Sequence, residues 1–322
     1  MIRKSLGFAA LSLLTFVAIG FAPAHAASWP EKPIRIIIPW APGGSTDIVG
    51  RLLAADLTKR LKQQVIIDNR PGAGAIVGME IASQSPPDGY TFMVTSTGYG
   101  YLISKAKVDL IKSFAPVALL GFGDSALVVT PTLPVKSVKE LVALAKARPG
   151  QINYSSSGVG GFPHMNTELF KMMTGTNIVH IPFKGGGPAI ADTAAGHTQV
   201  HLGSLATVMP QVRAGRVRML AVGSAKRNPI LPDVPTISES GVPGYESYIW
   251  FGMFAPRGTS ADIISQMHAA TNVALKVPDM VQKLDAAGVR AETSSTAEFG
   301  KLMVSEAEKW ARVIKAAGIK EE

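Results

Sequence analysis

The chain has 322 residues, of which 47% are hydrophobic and 17% charged, with a formal net charge of +9 and no cysteine. This length can bury the cores of two α/β lobes, and the absence of cysteine excludes both a small disulfide-stapled fold and a thioether lipid anchor. The basic residues are scattered, with only Lys59, Arg60 and Lys62 clustered, so the charge speaks against a nucleic-acid partner and suits a mild field for small anions.

Residues 1–26 read as a secretory signal. Arg3 and Lys4 give a basic start, Leu6 to Phe21 is an apolar run, and Ala24-His25-Ala26 supplies the small-residue cleavage pattern. Pro23 and that pattern argue against a membrane anchor helix. Cleavage after Ala26 predicts a mature periplasmic protein of net charge +7, and no later stretch is apolar for long enough to span a bilayer.

The mature chain begins with Ile34 to Asp47, an apolar strand followed by a Pro/Gly turn and a helix start. Ile36, Ile37 and Ile38 suit a strand buried on both faces. Gly43 and Gly44 let a ligand approach the backbone. Ser45, Thr46 and Asp47 are helix-opening residue types, and Val49, Leu53, Leu57 and Leu61 form one helical face. Such a turn can hold an anion on free N–H groups at the positive end of the helix dipole. A plain strand–helix connection explains the same spacing.

Further along, Val65 to Asp68 and Tyr90 to Thr95 read as strands, the second followed by the polar loop Ser96, Thr97 and Gly98. Phe114 to Gly121 and Ala126 to Thr130 read as two more strands. Pro131 to Val135 is predicted as an extended crossing into a second lobe. Helices are predicted from Ser137 and from Pro163. Short strands at Ile152 to Tyr154, Ile178 to Pro182 and near Val200 open into Ser155 to Gly161, Phe183 to Gly187 and Gly203-Ser204. Pro229 to Gly244 reads as the crossing back, and helices close the chain. The alternation predicts a parallel α/β architecture, with lobe 1 at residues 27–130 plus 248–322 and lobe 2 at 131–247.

The motifs exclude more chemistry than they supply. Gly72, Gly74 and Gly78 follow the second strand, where a dinucleotide fingerprint would follow the first. No G-K-[ST] follows Ser155 to Gly161. Ser157 and His164 suggest a hydrolase, yet no serine sits in a G-x-S-x-G elbow. His197 and His201 are four apart without the glutamate of H-E-x-x-H. No catalytic residue, metal site or cofactor is predicted. Four small-residue loops do stand out: Ala41 to Asp47, Ser96 to Gly98, Ser155 to Gly161 and Phe183 to Gly187. On the carboxyl edges of facing sheets they would line one cleft, offering N–H groups, hydroxyls, Lys184 and Asp47, which points to binding rather than catalysis.

Several motifs together resemble a known family. Trp29 to Asp47, Asp68 to Gly74, Pro87 to Thr91, Leu133 to Leu141, Asn153 to His164, Pro182 to Ala189, Gly244 to Glu246 and Trp250 to Pro256 look like the Bug family. Its members are the extracytoplasmic solute receptors of tripartite tricarboxylate transporters. The resemblance implies an α/β periplasmic binding protein fold, type II-like, with two Rossmann-like lobes closing on a small organic carboxylate, as a monomer that delivers it to a membrane permease. A receptor signalling to a sensor kinase is the alternative. By resemblance, Trp40 to Asp47 and Ser155 to Gly161 hold one ligand carboxylate, partly through water. Asp47 faces the ligand's far or amino end, or caps its helix. The candidate ligand-binding residues are Trp40, Ala41, Gly43, Gly44, Ser45, Asp47, Ser96, Thr97, Ser156, Ser157, Gly158, Gly160, His164, Phe183, Lys184, Gly185, Ser204 and Trp250. The chain departs from the family at Gly161, where many relatives have Ser or Thr, at Gly203, where many have Asp, and across residues 98–112, where Tyr99 and Tyr101 could narrow the cleft.

Overall fold

The computed structural model describes residues 29–98, 102 and 108–320. The expected signal segment and Tyr99 and Tyr101 lie outside them. Three parallel strands, β1 (Ile34–Ile38), β2 (Val65–Asn69) and β3 (Thr91–Ser96), pair in the order β2-β1-β3. The β-branched run fills the middle of this sheet, and Ile36, Ile37 and Ile38 are fully buried. Between β1 and β2 runs α1 (Ser45–Leu61), which turns Val49, Leu53 and Leu57 onto the sheet. Between β2 and β3 lies α2 (Ile76–Ser83).

The sheet is mixed rather than parallel. β9 (Tyr248–Pro256) pairs antiparallel with β3 and with β4 (Phe114–Val129). Where the sequence suggests two strands there is one, β4, sixteen residues long, because it finds pairing partners along its whole length, β9 first and then β7 and β8. Phe114 to Asp124 pair with β9, and Ser125 to Val129 pair with β7 (Val200–Ser204) and β8 (Arg218–Val222). β4 therefore carries the chain from one half of the sheet to the other, ahead of the Pro131 to Val135 segment. Beside it, Gly223 N–H donates to the Ser125 carbonyl and Ser247 N–H to the Gly223 carbonyl, both at 2.8 Å.

The second half is also parallel at its centre. β6 (Val179–Pro182), β5 (Asn153–Ser156) and β7 run side by side. Around them lie α3 (Val138–Ala147), α4 (Phe162–Thr174), α5 (Gly186–Ala195) and α6 (Leu205–Arg213). The prolines of 229–244 do not cross back; that segment packs onto the second half, with Ile237, Val242 and Tyr245 in its core. The last segments return to the first half as α7 (Ala261–Ala274), α8 (Pro278–Ala286), β10 (Val289–Ala291) on β4, and α9 (Thr296–Ala317).

The first core is aromatic at its centre. Phe299 of α9 lies tilted 5.2 Å from Phe254 and edge-to-face 6.0 Å from Trp250, with its ring against Gly252 of β9. A Cβ on Gly252 would lie 2.1 Å from Phe299 Cζ. Gly252→Ala must displace a fully buried ring, and overpacking of this kind costs about 1–3 kcal/mol. The expected result is a fall of roughly 2 kcal/mol in unfolding free energy from urea titration; an unchanged midpoint would show that the ring is not held there.

Candidate functional site

The carboxyl ends of β1, β3, β5, β6 and β7 meet where the two halves of the sheet face each other. The sequence folds this way locally because each strand ends in Gly, Ser or Pro, which break pairing and open a helix. Between them is a cavity of about 30 Å³ lined by Trp40, Gly44, Ser45, Thr46, Ser96, Thr97, Ser157, Phe162, Pro163, Gly186, His201, Ser204, Thr207 and Ile249. That is room for about two waters, far less than a small organic acid needs. The halves touch above it. Ala41 N–H donates to the Lys184 carbonyl at 3.2 Å, Gly98 and Gly161 form an isolated antiparallel bridge, and a Cβ on Gly185 would lie 2.8 Å from Ala41 N. The cleft is closed.

Four helices open onto this cavity: α1 at Gly44, α4 at Gly161, α5 at Gly185 and α6 at Ser204. None has a side-chain cap on its first turn. Elsewhere Ser137, Ser260 and Ser295 cap α3, α7 and α9 with their own hydroxyls. At Ser204 the hydroxyl is present but does not cap its helix, and it is buried with no hydrogen-bond partner among the described residues. Uncapped first turns aim free N–H groups and positive dipole ends at one point, which is what an anion needs. No Lys or Arg lines the cavity among the described residues.

The candidate residues divide by direction. Trp40, Gly44, Ser45, Ser96, Thr97, Ser157 and Ser204 line the cavity. Asp47 does not. Its carboxylate accepts Gly43 N–H, Arg51 Nε and Asn69 Nδ2, each at 3.0 Å, so it organises the turn. Burial opposes its charge, but these hydrogen bonds hold its carboxyl below the usual range. Gly43 and Ala41 contribute backbone to that turn and to the contact across the cleft. Lys184 is exposed and reaches the contact only through its carbonyl. Phe183 N–H donates to the Ser156 carbonyl at 2.9 Å. Trp250 is in the aromatic core, joined to Thr97 by a 2.8 Å bond from its N–H to Oγ1.

The loop after β5 is held from behind. Ser156 Oγ accepts Gly158 N–H at 3.1 Å and lies 2.5 Å from His180 Nε2. Gly160 N–H donates to His164 Nδ1 at 3.1 Å. The His164 and His180 rings stack at 4.2 Å. Burial, reinforced by the Lys171 charge, pushes His164 down to about 4, and burial followed by its histidine neighbour pushes His180 to about 3. His164 is thus a neutral acceptor that shapes the loop, and no hydrogen bond joins it to Ser157. Gly161 leaves space for the Ser157 hydroxyl, since a Cβ there would lie 2.3 Å from Oγ.

Sequence reasoning placed Thr46 and Gly186 in cleft loops without singling them out, and missed Phe162, Pro163, His201, Thr207 and Ile249. Thr46 and Gly186 adjoin candidate residues, and Thr46 Oγ1 meets Ser96 Oγ at 2.7 Å. His201 sits inside an apolar strand, where it reads as core. A larger cavity of about 610 Å³ lies by the crossing segments and shares none of the four loops. Asp124, Glu246 and Asp285 line it, while its Arg290 is paired with Glu292, so it repels carboxylates. Among the described residues no cluster of His, Asp or Glu could hold a metal, and no helix is long and apolar enough to cross a membrane.

A family model described as "Tripartite tricarboxylate transporter family receptor" matches residues 49–319. The chain is 34% identical to protein BugT of Bordetella pertussis over 304 residues, 93% of each chain. Among solved structures it resembles R. palustris Rpa4515 with adipate, at TM-score 0.88 and 35% identity over 91% of this chain and 99% of the other. It also resembles MatC from Rhodopseudomonas palustris with bound malate, at TM-score 0.85 and 28% identity over 88% and 99%. The two-lobed α/β fold is that of periplasmic binding proteins.

Proposed function

Since the chain belongs to the tripartite tricarboxylate transporter family of receptors, we propose that it captures a small organic carboxylate in the cavity between its lobes and delivers it, as a monomer in the periplasm, to a membrane permease of the tripartite tricarboxylate type. The observation that carries this reading is the convergence of four helix N-termini without side-chain caps on one cavity. A carboxylate there takes backbone N–H groups and the Ser157 hydroxyl as donors, with no cationic side chain needed. Relatives bound to adipate and malate support the ligand class. Gly44, Ser45 and Thr46 belong to one lobe and Ser157, Gly186 and Ser204 to the other, so a ligand between them favours closure by its affinity for the closed form. We place the pivot at the adjacent crossings Asp124–Ser125 and Ser247–Tyr248, which Gly223 joins through its backbone. The mature chain would begin at Ala27.

Thermal unfolding of residues 27–322 against mono-, di- and tricarboxylates tests the reading. A ligand at a hundredfold over its dissociation constant stabilises by about 2.7 kcal/mol, a shift of several degrees. Protein freed of any carried-over ligand by unfolding and refolding, and then silent to the whole panel, would overturn it.

A further inference from the structure

His201 projects from β7 into the cavity wall and is fully buried. Its Nδ1 lies 3.2 Å from the Ser155 carbonyl and 2.9 Å from Ser155 Oγ. We assign the proton to Nδ1, because the Ser155 carbonyl only accepts, which leaves Nε2 with a bare lone pair. That lone pair has no hydrogen-bond partner among the described residues. It reaches its place because residue 203 has no side chain: a Cβ on Gly203 would lie 2.1 Å from Nε2. Ser204, which lines the same cavity, also has its Oγ buried and unpartnered among the described residues. Burying such acceptors costs free energy unless something donates to them.

We infer that the natural ligand is a hydroxycarboxylate whose hydroxyl donates a hydrogen bond to His201 Nε2 while its carboxylate meets the helix N-termini. This rests on the carboxylate reading above and narrows it. A second carboxylate oxygen at Nε2 would set lone pair against lone pair. An ammonium group could donate, but no Asp or Glu lines the cavity among the described residues, and four positive helix ends already face it. A hydroxyl donates without adding charge. Burial, which pushes the ring down to about 4, keeps it neutral near pH 7.

The test is calorimetry on matched pairs: propionate and lactate, succinate and malate, glutarate and 2-hydroxyglutarate, adipate and 2-hydroxyadipate. The wild-type protein should bind the hydroxy acid of its best pair at least tenfold more tightly than the parent acid. In His201→Asn the amide can keep the donor to Ser155 but offers nothing at Nε2, so the preference should fall below threefold with the parent acid unaffected. Gly203→Ala, which pushes the ring aside without removing it, should reduce the preference too, and serves if the asparagine variant does not fold. Parent acids bound as tightly as hydroxy acids, or a preference that survives in both variants, overturns this inference while leaving the carboxylate receptor standing. Failure of every pair to bind overturns this inference, and silence across the whole carboxylate panel overturns both.

Discussion

Gly44→Val is expected to weaken ligand binding roughly ten- to a hundredfold while the protein stays folded. Gly44 ends the first loop with φ −79° and ψ 166°, an extended conformation open to valine, so the backbone itself is not strained. The consequence lies across the cleft. A Cβ on Gly44 would sit 3.7 Å from Gly186 N and 3.8 Å from Gly187 N, already in contact with the far lobe. The two methyls of valine extend further, into the seam that closure must seal. Overpacking by two such groups costs about 1–3 kcal/mol, borne by the closed state alone, and about 2.7 kcal/mol is a hundredfold in affinity. Gly44→Ala, which stops at ordinary contact distance, should lose less than tenfold. Calorimetry with the best ligand from the panel, beside thermal unfolding of the free variant, separates binding from folding. Wild-type affinity in the valine variant would mean that the lobes do not close through this seam.

The second large effect is on stability against pH. His164 and His201 are buried as neutral rings, both pushed down to about 4 chiefly by burial, while an unfolded histidine titrates near 6.5. The unfolded chain therefore binds more protons than the native one between those values. Stability is full above pH 6.5 and is lost as the pH falls from 6.5 toward 4. At about 1.4 kcal/mol per pH unit for each ring, the pair should cost roughly 4 kcal/mol between pH 7 and pH 5. Asp47 acts in a separate window: its lowered carboxyl contributes stability above about pH 3.9 that is lost as the pH falls through its native value. In His164→Asn/His201→Asn, where the amides can supply the acceptor for Gly160 and the donor for Ser155, the loss between pH 7 and pH 5 should shrink by that amount, to the roughly 2 kcal/mol owed to His180, which is pushed to about 3. Urea unfolding at the two pH values measures it. Equal wild-type stability at both would show that the rings are not held neutral in the native protein.

Much of the site's scaffold was legible in the chain. Ile36 to Ile38, the Pro/Gly turn and the period of Val49, Leu53 and Leu57 specify β1, the loop and α1, because backbone preference and hydrophobic period act over a few neighbouring residues. The same holds for Ser96-Thr97 at the end of β3 and for Ser155 to Gly161, whose first two residues close β5. The choice of loops was readable for that reason. Tertiary packing alone decided what each loop turns toward the ligand. Asp47 looked available until Arg51 and Asn69, from the helix and from β2, consumed its oxygens. Lys184 looked like a cation for a carboxylate, yet its side chain leaves toward solvent. His164 and Ser156 turn inward to hold their loop, and Ser157 between them turns out. β4 could run through from one lobe to the other only because β9 and then β7 and β8 were there to pair with it. His201 reads as an ordinary buried residue of an apolar strand; that it reaches the cavity wall with its Nε2 unpartnered among the described residues depends on Ser155 from β5 and on the missing side chain at Gly203. Local sequence sets where the backbone turns. The direction of a side chain at the turn is set by partners that are distant in the chain, and only the folded protein brings them together.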